Sequence, residues 1–194
     1  MWWRRDRAAG QAASRSALGL RLIAVMALGG LTAGCFQPLY ASRTVSGNEA
    51  LGTKLAQVQI ERIDAPNGTP EARIAVEIQN ALDFELTGGS GLISPTHRIK
   101  VRMTTSRNSI ITDVTTGRVL SEITGIDAAF VVTELATDKV VMQSRTFARV
   151  SSDYPGQQQR FARQRARLDA EDRAAKVIAE NIRTRLASFF VAGT

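Results

Sequence analysis

Apolar and polar positions alternate in several short stretches of the chain. In residues 54–63, Val58 and Ile60 alternate with glutamine and glutamate, and this period of two predicts a half-buried strand. In residues 96–104, Ile99, Val101 and Met103 alternate with positively charged residues. Because successive side chains of a strand point to opposite faces, this second strand is predicted to be apolar on one face and positively charged on the other.

More extended segments follow, and short turns separate them. Residues 109–114 form a weaker extended stretch that leads into a turn at residues 115–118, and residues 119–135 form a long extended segment. A tight connection at residues 136–139 leads to a predicted strand at residues 140–151. Consecutive strands on short turns pair as antiparallel hairpins, so most of the sheet is predicted to be antiparallel.

Two segments carry the period of a helix. The first begins at Thr69, a predicted N-cap that is followed by Pro70, and it ends at Gly88 and Gly89. The second spans residues 157–190, and its predicted apolar seam consists of Phe161, Leu168, Ala174, Ala175, Ile178, Ile182, Leu186 and Phe189. At 1.5 Å per residue the second helix measures roughly 45 Å, which is enough to cross a whole sheet.

The order strand, helix, several strands, helix predicts an α+β fold. We expect a two-layer sandwich, in which a mixed, mostly antiparallel four-stranded sheet carries two helices on one face. A single domain is expected over residues 54–194, and an irregular tether over residues 35–53 is expected to precede it.

The first 34 residues predict an export signal that is removed from the mature protein. Residues 1–21 hold five arginines and one acid, and a short apolar run at residues 22–31 precedes small residues and Cys35. A positive segment, an apolar run of about 10 residues and a small-residue cleavage site are typical of such signals. The apolar run is shorter than the roughly 20 residues that a membrane-spanning helix needs.

The string LTAGC at the end of this run resembles the lipobox of bacterial lipoproteins. In that class the chain is cut before the cysteine, here between Gly34 and Cys35, and the cysteine is then acylated. The alternative is a plain secretory signal whose nearby cysteine is incidental. Phe36 stands where aspartate favours retention at the inner membrane, so we expect a lipid anchor in the periplasmic leaflet of the outer membrane.

Composition narrows the function classes. The formal net charge of +7 favours a nucleic-acid partner at first sight. Removal of residues 1–34 leaves 20 of the 25 basic residues and 17 of the 18 acidic ones, so the mature chain carries only +3 and no nucleic-acid partner is expected. One Cys and one His exclude a disulfide framework, a cysteine-rich zinc site and a multi-histidine metal centre.

The residues offer little for catalysis. Cys35 is committed to the lipid, and His97 has no adjacent carboxylate, so we interpret it as a packed or partly exposed histidine. The carboxylates are not spaced as metal ligands, and the GGSG segment follows a helix, whereas a phosphate-binding loop precedes one. We therefore expect no enzymatic activity, no cofactor and no metal.

Two basic features remain in the mature chain. One is the stripe formed by Arg98, Lys100 and Arg102. The other is a cluster at the start of the last helix, which acids one or two turns later can neutralise; it consists of Arg160, Arg163, Arg165 and Arg167. Each feature is either a solvated face or a site for a polyanion, and for an outer-membrane lipoprotein the abundant polyanion is lipopolysaccharide, whose phosphates suit arginine.

Longer motifs point to a known family. GCFQPLY stands at residues 34–40, and GRVLSEITGIDAAFVV, SRTFARVSSDYP and an Arg- and Ala-rich final helix follow in that order. A further pattern consists of Tyr154, Phe161-Ala162, Asp169-Ala170-Glu171 and Arg173-Ala174-Ala175. In these features the chain resembles the alphaproteobacterial lipopolysaccharide-assembly lipoproteins, the LptE family.

The resemblance implies a non-enzymatic role. Members of the family plug a large outer-membrane β-barrel, an LptD-like protein, assist its assembly, and bind lipopolysaccharide during its insertion in the outer leaflet. Basic residues near hairpin ends serve that binding in the family, and by location the candidates here are Arg107, Arg118 and Lys139. Both hairpin tips are expected to point along the barrel lumen, away from the lipid anchor.

Two alternatives remain open at the level of the sequence. One is a stand-alone, periplasm-facing lipoprotein that carries lipid or a polyanion, and the other is a lipid-anchored enzyme. A carrier needs an enclosed apolar cavity, for which an aromatic content of 6% is low.

Overall fold

The computed structural model describes residues 51–91, 93–154 and 160–192, and all of them lie in the unit that spans Ser42–Thr194. The predicted signal segment, the cleavage and lipidation site at Gly34 and Cys35, and the tether up to residue 50 lie outside the described residues. The side chain of Arg160 lies outside them as well.

Seven described elements build an α+β domain, as predicted. The sheet has the strand order β1-β2-β3-β4; β1 runs parallel to β2, and the other neighbours are antiparallel. In chain order the elements are α1 (Leu51–Ala56), β1 (Val58–Ile60), α2 (Pro70–Thr87), β2 (His97–Thr112), β3 (Val119–Glu134), β4 (Lys139–Asp153) and α3 (Arg160–Ala192). The described part of the chain thus has three helices rather than the two predicted, and two of the three are long.

Two strand boundaries differ from the prediction. In the segment 54–63 only Val58–Ile60 pairs with β2, and helix α1 precedes it. Leu51 and Leu55 are both buried and lie four positions apart, which is the spacing of one helix face. The predicted gap before residue 109 does not exist, because β3 pairs with β2 along its whole length and keeps it extended.

Helix α2 begins and ends as predicted. The backbone N–H of Ala72 donates to the side chain of Thr69 at 3.2 Å, and Pro70 opens the first turn. Gly88 has a positive φ of 62° and donates its N–H to the carbonyl of Phe84; glycine adopts this conformation without the clash that a Cβ would cause. The buried face of α2 includes Ile74, Ile78, Leu82 and Leu86.

Helix α3 runs the length of the sheet. Its 33 residues measure about 50 Å, and strands of 15 or 16 residues are about as long. The predicted seam is confirmed at Ala174, Ala175, Ile178, Ile182 and Leu186, all of them buried. Phe161 is 85% exposed and does not belong to the seam, because the sheet residues near this end of the helix, Glu122 and Ser152, are polar.

The sheet has one covered face and one bare face. Val101 pairs with Phe130, which pairs with Ser144, so alternate residues of three strands share a face. One such face joins buried residues of all three helices in a single apolar core, to which the strands contribute Ile99, Val101, Ile126, Ala128, Phe130, Val132 and Ala148. Within the described residues no helix covers the opposite face. The predicted two-layer arrangement is confirmed.

We expect Ile178→Ala to lower the free energy of unfolding by about 3 kcal/mol, because Ile178 is fully buried in the core and its truncation leaves a cavity. The neighbouring Val177 is 39% exposed, and Val177→Ala is the matched control, with an expected loss below about 1 kcal/mol. Urea unfolding followed by circular dichroism measures both. Equal losses would contradict this assignment of the buried face of α3.

Candidate functional site

The bare face of the sheet carries the predicted basic stripe. Arg98, Lys100 and Arg102 are exposed and lie along β2 opposite the helices. Strand pairing adds Arg145 and Arg149 of β4 to the same face. We call these five cations the basic face. The sequence analysis missed the two arginines of β4, because only the register shows which residues of separate strands lie side by side.

Two cations of the basic face are already paired. Lys100 Nζ lies 2.8 Å from the carboxylate of Glu61, and this hydrogen bond holds the pKa of Glu61 below its ordinary value. The guanidinium of Arg149 donates to both carboxylate oxygens of Asp127, at 2.8 and 2.9 Å. Each pair cancels charge locally, so the positive charge of the face is uneven.

The side chain of Arg149 lies over Gly125 of β3 and so reaches the carboxylate of Asp127. A Cβ at Gly125 would lie 2.5 Å from Ser106 Oγ and 3.1 Å from Arg149 Cδ, so a larger residue would clash with Ser106 and crowd the arginine. The guanidinium also donates to two backbone carbonyls, at 2.9 and 3.2 Å, and lies 5.6 Å from the ring centre of Phe147. These contacts fix the side chain of Arg149 across the strand.

The three candidates for lipopolysaccharide binding lie apart. Arg118 stands at the β2–β3 turn and Lys139 at the β3–β4 turn, which are opposite ends of β3 and about 50 Å apart. Arg107 is not near a turn, contrary to expectation. It lies inside β2 opposite Thr124, on the helix-covered face, because β2 continues to Thr112. The structure does not bring the three residues into one site, and their role in binding stays a prediction.

The two hairpin tips point in opposite directions along the sheet, so the expectation that both point the same way is wrong. The β2–β3 hairpin extends past Asp153, the last residue of β4. Asp113 organises its turn by accepting the backbone N–H groups of Thr115 at 2.8 Å and Thr116 at 3.2 Å. These bonds hold the pKa of Asp113 below its ordinary value. Exposed apolar residues of this hairpin are Ile110, Ile111, Val114 and Leu120.

A cluster of charges joins α2, β2 and α3 on the covered face. Glu171 of α3 is only 2% exposed, and its carboxylate accepts hydrogen bonds from Arg73, from Arg107 at 2.9 Å and from Arg167 at 3.3 Å. Arg73 also donates to Asp172 at 2.7 Å. A buried carboxylate is tolerated here because three guanidinium groups replace the water that it loses.

The sequence predicted only part of this cluster. The arginines at the start of the last helix were expected to pair with nearby acids, and Arg167 does so with Glu171 four residues later. Arg163 instead lies 4.8 Å over the ring of Tyr154, and Arg165 is exposed. The other partners of Glu171 lie 98 and 64 residues away along the chain, so no local pattern indicates them.

His97 is a packed histidine at the edge of the core. Its ring stands edge-on to Phe190 with 5.2 Å between the ring centres, and its Nδ1 lies 2.8 Å from Thr96 Oγ1. Burial lowers the pKa of His97 below the ordinary value of 6.5, Glu134 offsets part of this effect, and Lys54 adds to it. The folded state therefore favours the neutral ring.

Residues 51–91, 93–154 and 160–192 contain no group of three His, Cys, Asp or Glu side chains that could hold a metal ion. No helix in this part of the chain is long and apolar enough to cross a membrane.

Glu171→Gln is expected to lower the free energy of unfolding by about 3 kcal/mol, because the arginines around it would lose their counter-charge in a buried place. The matched control is Asp169→Asn. Asp169 is 65% exposed and pairs with Arg173 on the same helix, so its loss is expected to stay below about 0.5 kcal/mol. Chemical denaturation of both variants measures the difference, and similar losses would contradict the role of the buried cluster.

Stability is also expected to depend on the protonation of His97. Since its pKa is lower in the folded state, the unfolded state binds the proton more readily, and stability falls as the pH falls below about 6.5. Urea unfolding at pH 8 and pH 5.5 measures this fall while the carboxylates stay ionised. His97→Gln should reduce the fall, and an unchanged pH dependence in this variant would rule out His97 as its source.

The fold is also found in solved structures of bacterial lipoproteins. A solved structure of a candidate lipoprotein from Caulobacter crescentus CB15 is similar with a TM-score of 0.57 and 16% identity, over 74% of this chain and 97% of that chain. Rare lipoprotein B from Shewanella oneidensis is similar with a TM-score of 0.50 and 12% identity, over 70% of this chain and 96% of that chain. No protein-family model matches the chain, and no curated protein matches it significantly. At these identities the similarity establishes a shared fold, and the described domain has the fold of these lipoproteins.

Proposed function

We propose that the protein is a non-enzymatic lipoprotein of the outer membrane that occupies the lumen of a β-barrel translocon, assists its assembly, and binds lipopolysaccharide on its way to the outer leaflet. The observation that carries this proposal is the fold, which two bacterial lipoproteins share over nearly their entire chains, 97% and 96%. The lipobox-like string before Cys35 and the sequence resemblance to the LptE family add the anchor and the partner.

The surface of the domain suits a polar enclosure. The bare sheet face presents mostly charged and polar side chains, with Phe147 as an exposed aromatic residue among them, and its five cations are spread over two strands. The lumen of a large outer-membrane barrel is polar, so a plug needs a polar surface rather than an apolar interface. The anchor then holds the domain at the periplasmic leaflet, since buried acyl chains contribute about 0.8 kcal/mol per methylene.

A stand-alone lipid carrier fits the structure less well. Such a carrier needs an enclosed apolar cavity between its layers. In the described domain this space is filled by side chains that are fully buried, among them Ile78, Phe130 and Ile182.

The proposal is tested by a pull-down from detergent-solubilised outer membranes with a C-terminal tag on the protein. We expect a single large, heat-modifiable β-barrel protein in near-equal amount. The Cys35→Ala variant, made in parallel and directed to the periplasm by a cleavable secretory signal, should retain the barrel if the folded domain rather than the lipid holds the complex. Recovery of the wild-type protein without a barrel, or from the inner-membrane fraction, would overturn the proposal.

A further inference from the structure

One row of residues crosses the centre of the basic face. Arg102 of β2 and Arg145 of β4 are both register partners of Ala129 of β3, and all three line the same shallow cleft. Neighbouring strands are about 4.8 Å apart, so the Cα atoms of the two arginines are about 10 Å apart. Both arginines are exposed, and the methyl group of Ala129 leaves open space between their side chains.

These two arginines lack the partners that other cations of the face have. Lys100 and Arg149 form ion pairs, but the side chain of neither Arg102 nor Arg145 forms a hydrogen bond or ion pair with any residue of the described domain. Two like charges held this close on one sheet face repel each other. An anion placed between them removes that repulsion and gains hydrogen bonds from both.

The remaining lining of the cleft is compatible with an anion. Asp127 also lines it, but both of its carboxylate oxygens accept hydrogen bonds from Arg149, which cancels their charge. Phe147 stands beside the row in β4 and is 66% exposed, so the cleft has an apolar side next to its two cations. Two neighbouring positive charges and an exposed aromatic ring together suit an amphiphile better than a small free ion.

We propose that Arg102 and Arg145 clamp the phosphate group of a phosphorylated lipid above Ala129, and that Phe147 contacts the apolar part of the same lipid. The planar guanidinium group presents two parallel donors, which match the oxygens of a phosphate. The site is separate from the candidates at the hairpin ends, because Arg102 lies ten residues, or about 33 Å, from the end of β2, and Arg145 lies six residues, or about 20 Å, from Lys139. The inference rests on the proposed function in one respect, which is that lipopolysaccharide would be the phosphorylated lipid.

Binding of the full-length lipidated protein in detergent tests the site. The probes are lipid A with its phosphates, the same lipid after phosphatase treatment, and inorganic phosphate. We expect R102Q/R145Q to bind phosphorylated lipid A at least about tenfold more weakly than the wild type, because two charge-assisted contacts are lost. The control R62Q/K176Q removes the same charge from two exposed cations that lie outside both the cleft and the basic face, and its affinity should stay within about twofold of the wild type.

Each other outcome overturns the proposal in a distinct way. Equal losses in the two double variants would mean that overall charge, and not the row, attracts the lipid. Equal wild-type affinity for treated and untreated lipid A would exclude phosphate recognition, and displacement by inorganic phosphate at the affinity of the lipid would identify a free-anion site. Unchanged lipid binding with loss of the barrel in R102Q/R145Q pull-downs would identify a protein interface. The binding assay contains no barrel protein. Its result therefore does not depend on whether the proposed plug role is correct.

Discussion

The structure depends on one constraint. Side chains alternate between the two faces along each of three long strands, and this alternation stays in register from strand to strand. Because β2, β3 and β4 pair over 15 or 16 residues each, the buried apolar side chains of all three strands emerge on one face. That face must be covered, and a helix as long as the strands covers it. Small residues of α3 let the helix pack closely against its neighbours, namely Ala170, Ala174, Ala175, Ala179 and Ala187.

The space between the sheet and the helices is apolar at one end and contains a buried charge at the other. At one end Phe130 and Ile182 belong to an apolar core without a buried charge among the described residues, whereas towards the β2–β3 hairpin the buried charge of Glu171 is surrounded by arginines. Burial of charge is costly in free energy unless every group finds partners, so this end allows fewer alternative packings than an apolar one. The cluster joins α3 to α2 and to β2 at this end of the covered layer.

The bare face follows from the same constraint, since the strands that turn their buried apolar residues inward turn five cations outward, whereas Arg107 lies on the covered face. Two carboxylates neutralise part of the positive charge of this face. Asp127 and Glu61 each neutralise one cation, and Arg102 and Arg145 are left without partners in the described domain on either side of Ala129. The proposed binding surface is a shallow cleft on this face, and it results from strand pairing and from where the carboxylates lie.

The sequence alone determined the fold class, the bounds of α2, the buried seam of α3 and the sidedness of β2, because periodicity, caps and turn residues are local signals. The cap at Thr69 and the stripe at Arg98 were readable in this way. Tertiary structure alone decided the helical state of Leu51–Ala56, the exposure of Phe161, and the placement of Arg107 against Glu171. It also decided which arginines share the bare face. These features arise from contacts between residues far apart in the chain, and the physical reason is that strand register and helix docking bring together groups whose spacing in the sequence carries no periodic signal.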